Sequence, residues 1–558
     1  MTSAATDPTL PRRRAFDADR LFIAACVILP FLGLLLFFAY PMVIVFLRSI
    51  TQGDGSYGFG NYAEVLATRG FWRATSHSLL MTAATTVISV AGGFIVAMGL
   101  YRCSLPGKWL IRSAILLPLL APSLVQGLGL IFLLGRNGII SRMLGIEIEI
   151  YGFWGLLIAN TFYALPQAVM IIGAALMLLD ARIYEAAEVM GTRPLRQFRD
   201  LTLPAAKFGI LSATFVVFTI TITDFGNAAV IGGDYSVLAT EIYRQVVGRR
   251  NFNMGAVIGI ILLLPTVLSY YIERQASRRM RGGKSTDIQP FRPVFLAIRD
   301  IPVGVLCFLI SAASAAVIFT VVYASFVKLW PYNFTLTLKN YTITLAGGYS
   351  SLWITIYVSV FAAVFGTVGV FALGIGLRRA PAMIARPLQV LAAMPAAVPG
   401  MVLGLAYILT FNSPATPLYL LYGTATLIIV VNFYHYHTQA FLTIQTGFQQ
   451  FPEALEEAAT SLGAGRARIA RNVIAPFMMP MLVSVLFFLF MRSMVTLSAV
   501  IFLTTPDLSV AAVTIMRLDD SGRTAQAAAF STCVMAIVAV SLLLMRGILS
   551  ALRARAAQ

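Results

Sequence analysis

The sequence predicts an all-α membrane protein of about twelve transmembrane helices, arranged as two tandem six-helix units. Three observations predict it. Of 558 residues, 59% are hydrophobic and only 11% are charged, a balance foreign to soluble domains. Apolar runs of about 20 residues, the length that crosses a bilayer core, recur along the chain. Three polar or proline-bearing patterns then occur twice, in the same order.

The first apolar run, near 21–47, follows Arg12-Arg13-Arg14. Its length and its lack of a small-residue cleavage site predict an uncleaved anchor in place of a signal peptide. Further spans are expected near 77–101, 113–134, 153–179, 208–232 and 254–273 in the first unit. The second unit repeats them near 301–326, 352–377, 388–411, 417–445, 477–503 and 525–546. The first and seventh are the least regular. Runs this long are helices, since barrel strands are about ten residues long and alternate.

Net charge +18 invites a nucleic-acid partner, but the basic residues are sorted by membrane side. Loops on the side of the N-terminus hold 28 Lys+Arg and the opposite loops hold 12, with Arg492 inside a span. The excess places both termini in the cytoplasm. Charge here encodes topology, and no nucleic acid is expected. Cys26, Cys103, Cys307 and Cys533 show no metal or disulfide spacing.

The repeats fix the organisation. Glu185-Ala186-Ala187, Gly191 and Pro204 recur as Glu457-Ala458-Ala459, Gly463 and Pro476, each offset by 272. Pro118, Pro122 and Gly127 recur as Pro395, Pro399 and Gly404 at an offset of 277, and Asn160 with Gln167 as Asn432 with Gln439 at 272. Six spans per unit make the repeats run in the same direction, about an axis along the membrane normal. The expected division is a tail at 1–20, a first unit at 21–273 with its core from about 75, a linker at 274–300, a second unit at 301–547 with its core from about 350, and a tail at 548–558. Within the linker, Gly283-Lys284-Ser285 is not a phosphate loop, because position 278 is Arg where the first glycine belongs. No ATP site is expected in this chain.

In the first repeat, Glu185 or Glu457 suits the positive start of a short helix. The paired alanines keep one face slim for a close partner, and Gly191 or Gly463 ends the helix. Two such turns on one membrane side resemble the EAA loops of the permease subunits of ABC importers, here with two type I permease units fused. The resemblance implies that each turn sits in a cleft of an ATPase subunit, so ATP and Mg belong to a partner ATPase dimer. It also implies a periplasmic or lipid-anchored solute-binding protein, and multi-pass insertion in the bacterial inner membrane. The first copy is the more basic, with Arg193, Arg196 and Arg199, so unequal ATPase contacts are expected.

Charged groups inside spans are costly and usually functional. Asp224 and Arg492 lie roughly 22–24 Å along the fifth and eleventh spans at 1.5 Å per residue, toward the outer side. The 272 offset carries Asp224 to Thr496, one turn from Arg492. They form either a structural ion pair across the pseudo-dyad or a polar site in which Arg492 meets an anionic group and Asp224 a cationic one. Asn160 and Asn432 either bond across helices or line the pathway. The proline pairs kink the third and ninth spans for packing or for a binding role. His435 and His437, two apart, point to different helix faces.

Residues 223–257 and 491–522 carry a narrower resemblance, to fused permeases of the iron(III) and phosphonate branch, and within it to the 2-aminoethylphosphonate permease group. That implies a small zwitterion as substrate, with iron(III) or a polyamine as alternatives. A secondary transporter would also show twelve spans and a repeat, but would not need matched Ala-Ala/Gly turns. An enzyme would need clustered His, Asp or Cys, which three histidines do not supply.

Overall fold

The computed structural model describes residues 10–281, 289, 291, 293–344, 347–414 and 416–556. Residues 1–9 and the Gly283-Lys284-Ser285 stretch lie outside the described residues. The first unit comprises α1 (Ala18–Ile50), α2 (Arg69–Arg102), α3 (Lys108–Leu116), α4 (Leu124–Leu134), α5 (Phe153–Met177), α6 (Ala181–Val189), α7 (Leu203–Ile222), α8 (Gly226–Ile231), α9 (Leu238–Tyr243) and α10 (Phe252–Arg281). The second comprises α11 (Ala297–Phe326), α12 (Tyr349–Arg379), α13 (Ala382–Ala393), α14 (Gly400–Phe411), α15 (Ala425–Gln450), α16 (Glu453–Ser461), α17 (Ala475–Met494), α18 (Ala511–Asp520) and α19 (Thr524–Ala556). A two-stranded hairpin, β1 (Val327–Leu329) with β2 (Asn333–Leu336), decorates the loop after α11.

Among the described residues ten helices are long and apolar enough to span a membrane, and α13 with α14 make an eleventh if their 107° bend is one broken span. The remaining expected span, α15, is long enough but carries Asn432, His435, His437 and Gln439, so its composition falls short. Asn432 and His437 are buried against protein, and His435 and Gln439 line an internal cavity. The fifth expected span ends early, at Ile222, and the eleventh ends at Met494 in place of 503. Thr223-Asp224 breaks the first, and the short α8 follows. No helix stands at the matching place in the second unit.

The proline pairs act where expected. Pro118 opens a 3-10 turn (Leu117–Leu120) and Pro395 another (Met394–Ala397), and Pro122 or Pro399 then stands at the break before α4 or α14. Proline removes the helical N–H at both steps, so the chain turns. Gly404 lets the backbone close in, since a Cβ there would meet the Ala499 carbonyl oxygen at 2.7 Å.

The two units interlock. The first span of each packs on the core of the other, α1 against α12 and α14, and α11 against α2, α3 and α4. Tyr407, fully buried in α14, donates to the Phe37 carbonyl of α1 at 2.6 Å. Duplicated contacts extend the repeat beyond the motifs seen in sequence. Asn61 Nδ2 donates to the Ser49 and Thr51 carbonyls, as Asn340 Nδ2 does to Ser325 and Val327. Ser78 Oγ accepts from Leu238 N at 2.7 Å, as Thr355 Oγ1 does from Ala511 N at 2.7 Å.

Candidate functional site

Two regions gather the predicted residues: a pair of turns on one face, and a polar cavity between the units. The turns share a backbone. Gly191 and Gly463 have φ of +69° and +76°, where only glycine is unstrained. Thr192 N donates to the Ala187 carbonyl at 3.0 Å and Ala464 N to the Ala459 carbonyl at 3.1 Å, the 6→1 bond of a helix ended by a left-handed residue. Glu185 and Glu457 are each the fifth residue of their helix and exposed, so they do not serve the first-turn dipole as expected. Asp180 does that for α6 by accepting from Arg182 N at 3.0 Å. Ala186 and Ala458 are exposed, and Val189, Met190, Leu195 and Leu462 stand beside them, each at least 74% exposed. A π turn precedes each following proline, Phe198–Thr202 before Pro204 and Ala470–Ile474 before Pro476, widening the helix where that N–H is missing.

Side-chain support differs between the turns. Arg102 at the end of α2 and Arg378 at the end of α12 both donate to a backbone carbonyl, Leu176 at 3.0 Å and Phe448 at 3.1 Å. Arg102 also lies against the rings of Tyr184 and Phe291, each 4.5 Å from the guanidinium carbon and 5.2 Å from each other in an edge-to-face pair. Arg378 instead pairs with Glu456 at 3.3 Å, and Arg379 and Arg466 also reach that carboxylate. The linker carbonyl of Gln289 accepts from Ala181 N at 3.1 Å, so the connection between units seats on α6.

The cavity, about 160 Å³, lies where the broken helices of the two units meet. That holds roughly ten water-sized positions. Ser123, Tyr163, Asp224, His435, Tyr436 and Arg492 supply its polar wall. An adjoining apolar vestibule of about 560 Å³ shares Arg492, Tyr436 and Gln439 with it and runs to Glu273 and Arg546. Elsewhere between the units the rings of Tyr243 and Phe502, one from each unit, stack 6.2 Å apart. At the end of α18, burial and neighbouring Asp520 push the Asp519 carboxyl up to about 6.

The structure separates the predicted site residues. Asp224 and Arg492 share the cavity, but among the described residues no carboxylate lies within 4.0 Å of Arg492, so the ion pair, one of the two arrangements left open by the sequence, does not form. Asp224, just past the end of α7, caps α8: it accepts from Asn227 N at 3.0 Å, and Ser123 lines the cavity with it. Arg492 shares the cavity wall with Tyr163 and lies 5.0 Å from the Tyr436 ring centre. Thr496, the counterpart of Asp224, donates to Tyr436 Oη at 2.9 Å. Asn160 and Asn432, each 3% exposed, stand outside the cavity lining. Asn160 Oδ1 accepts from Asn227 at 2.9 Å and Asn432 Nδ2 donates to Ser493 at 2.7 Å, so interhelical bonding is their use. The histidines divide as their spacing predicts: His435 faces the cavity, while buried His437 Nδ1 meets the Ala392 carbonyl at 3.1 Å. Tyr163 was not singled out from sequence; its place at offset 272 from His435 was the available signal.

The family model described as the binding-protein-dependent transport system inner membrane component matches residues 89–282 and again 367–556. The chain belongs to that family. Each match starts inside α2 or α12 and ends in or just beyond α10 or α19, leaving α1 and α11 outside. Among curated relatives of this permease, the ferric transport system permease protein FbpB of Actinobacillus pleuropneumoniae is 26% identical over 545 residues, covering 94% of this chain and 78% of the relative. The putative ferric transport system permease protein FbpB 1 of Haemophilus influenzae is 27% identical over 524 residues, covering 90% and 81%. The molybdenum transport system permease protein ModB of Escherichia coli aligns with 38% of this chain but 97% of itself, at 28% identity, so one unit here matches a whole permease there. The permease is thus a multi-pass inner-membrane transport subunit for a small solute, not an enzyme. These relatives do not bring out the 2-aminoethylphosphonate expected from the narrower resemblance.

Proposed function

We propose that the chain is the translocation subunit of an ATP-driven importer for iron(III), delivered by an external binding protein. The observation that carries this reading is the alignment of nine-tenths or more of the chain with two ferric transport permeases. The matched turns at α6 and α16 are read as the docking points of an ATPase dimer, and their face as cytoplasmic, in keeping with the basic loops there. Glu185, Ala186, Ala187 and Gly191, with Glu457, Ala458, Ala459 and Gly463, form those points. Exposed Met190 and Leu462 supply the apolar contact a partner cleft would cover.

In this reading the cavity at Asp224 and Arg492 is the pathway, caught open toward the ATPase side through the vestibule and closed outward by Tyr243 and Phe502. Closure of the ATPase dimer moves the two turns together and re-seats the broken helices as rigid bodies. A zwitterionic 2-aminoethylphosphonate is the second reading, favoured by one carboxylate and one guanidinium sharing the cavity. Reconstitution with the cognate ATPase and binding protein tests the choice. ATP-dependent ⁵⁵Fe uptake that excess phosphonate does not inhibit is the expected result. Phosphonate uptake without iron uptake would replace it with the second reading.

A further inference from the structure

We infer that Arg492 is a receptor for an oxyanion carried by the cargo, so that iron(III) crosses as an anion-liganded complex and not as the bare ion. This rests on the cavity being the pathway proposed above. The guanidinium stands in the last turn of α17, on the cavity wall it shares with two neutral groups, Tyr163 and the Tyr436 ring. A guanidinium has five N–H donors in a planar fork. A cation inside a membrane protein pairs with a negative group or lines a route for one. Among the described residues no carboxylate reaches Arg492 within 4.0 Å, which leaves the second use.

Asp224 does not change this. Its carboxylate is committed to the start of α8, where it accepts from Asn227 N at 3.0 Å. The cavity's fixed charges, one positive and one negative, cancel. A trivalent cation entering alone would find none of its charge offset and would face a guanidinium. Removing even one unit charge from water costs several kcal/mol after relaxation, and the cost rises steeply with charge. A bound oxyanion lowers both penalties, because it neutralises the metal and accepts N–H bonds from Arg492 in a matching planar geometry. Phosphate, carbonate and carboxylate ligands share that chemistry. His435, whose Nδ1 has no hydrogen-bond partner, and the Ser498 hydroxyl line the same chamber as neutral partners for it.

The test uses the full complex of this chain, ATPase dimer and binding protein in proteoliposomes, with ⁵⁵Fe and one labelled oxyanion at a time: ³³P-orthophosphate, ¹⁴C-bicarbonate or ¹⁴C-citrate. At least one label should accumulate with iron in a fixed ratio, and iron uptake should fall ten-fold or more when no oxyanion is supplied. Arg492→Gln should abolish co-accumulation, and Arg492→Lys should keep part of it. If Arg492→Gln does not assemble, oxyanion dependence in the unaltered chain still decides. Iron uptake at full rate without any oxyanion overturns the inference, as does Arg492→Gln carrying both labels at the original rate and ratio. Oxyanion entry without iron ends the iron reading and leaves the Arg492 receptor standing. Neither label entering while ATP is hydrolysed overturns both.

Discussion

The α6 and α16 turns have the same backbone and opposite supports. Position 184 is Tyr and its counterpart at offset 272 is Glu456. One replacement changes the physics of the clamp. On α6 a buried arginine lies against two rings packed edge to face, Tyr184 also bonds Thr202 at 2.8 Å, and the inter-unit linker adds Phe291 and the Gln289 carbonyl. On α16 three arginines converge on one nearly buried carboxylate, and Asp19 of the first unit accepts from Arg466 N at 2.7 Å. Duplication therefore preserved where the turns stand and let the means of holding them diverge. An aromatic clamp depends on buried area and is indifferent to salt. An ionic one weakens as salt screens it.

The largest expected effect comes from removing what the turns share. Gly191→Pro with Gly463→Pro replaces a φ near +70° by one near −65° and should abolish ATP-dependent uptake while membrane insertion persists. Retained uptake with the ATPase still attached would break the parallel between the turns. Next is Glu456→Ala, which leaves three arginines facing one another. It should loosen α16 by about 2 kcal/mol, below the cost of breaking a fully buried pair because the arginines are partly exposed. Hydrogen exchange across 453–461 measures it, with 181–189 as the internal reference. Tyr184→Phe should cost α6 only about 1 kcal/mol, the worth of one neutral hydrogen bond. Exchange at 50 and 500 mM salt sharpens the contrast: protection should fall in α16 and hold in α6.

How far these differences could be read in advance depended on what kind of signal carried them. Patterns that recur at one offset, such as Gly191 with Gly463, were plain in the sequence because a left-handed turn admits little else. The broken helices at Pro118 and Pro395 were visible for the same covalent reason. The ends of the fifth and eleventh spans were not. Apolar residues continue past Ile222 and Met494, and only tertiary contact decides that α8 turns back under a cap made by Asp224. Asn160 and Asn432 left two uses open because a buried amide must find partners, and sequence does not say whether those are helices or cargo. The Asn61 and Asn340 bonds were missed because a single Asn-Tyr dipeptide is too short a signal.

A smaller effect concerns the end of α18. Asp519 has its folded pKa raised to about 6 from an ordinary 3.8 by burial beside Asp520. Its stabilising share is present below pH 4 and is lost as pH rises through 6. Asp519→Asn should therefore raise the melting temperature in detergent at pH 7.5 and change it little at pH 4.5. Equal shifts at both would assign the effect to packing.

The docking role of the two turns is tested most directly by cysteine labelling at Ala186→Cys and Ala458→Cys, with the native chain as background. A membrane-impermeant maleimide should label both sites in inside-out vesicles, lose them when the ATPase subunit is added back, and reach neither in intact spheroplasts. Labelling from outside, or labelling that the ATPase leaves untouched, would contradict the coupling account.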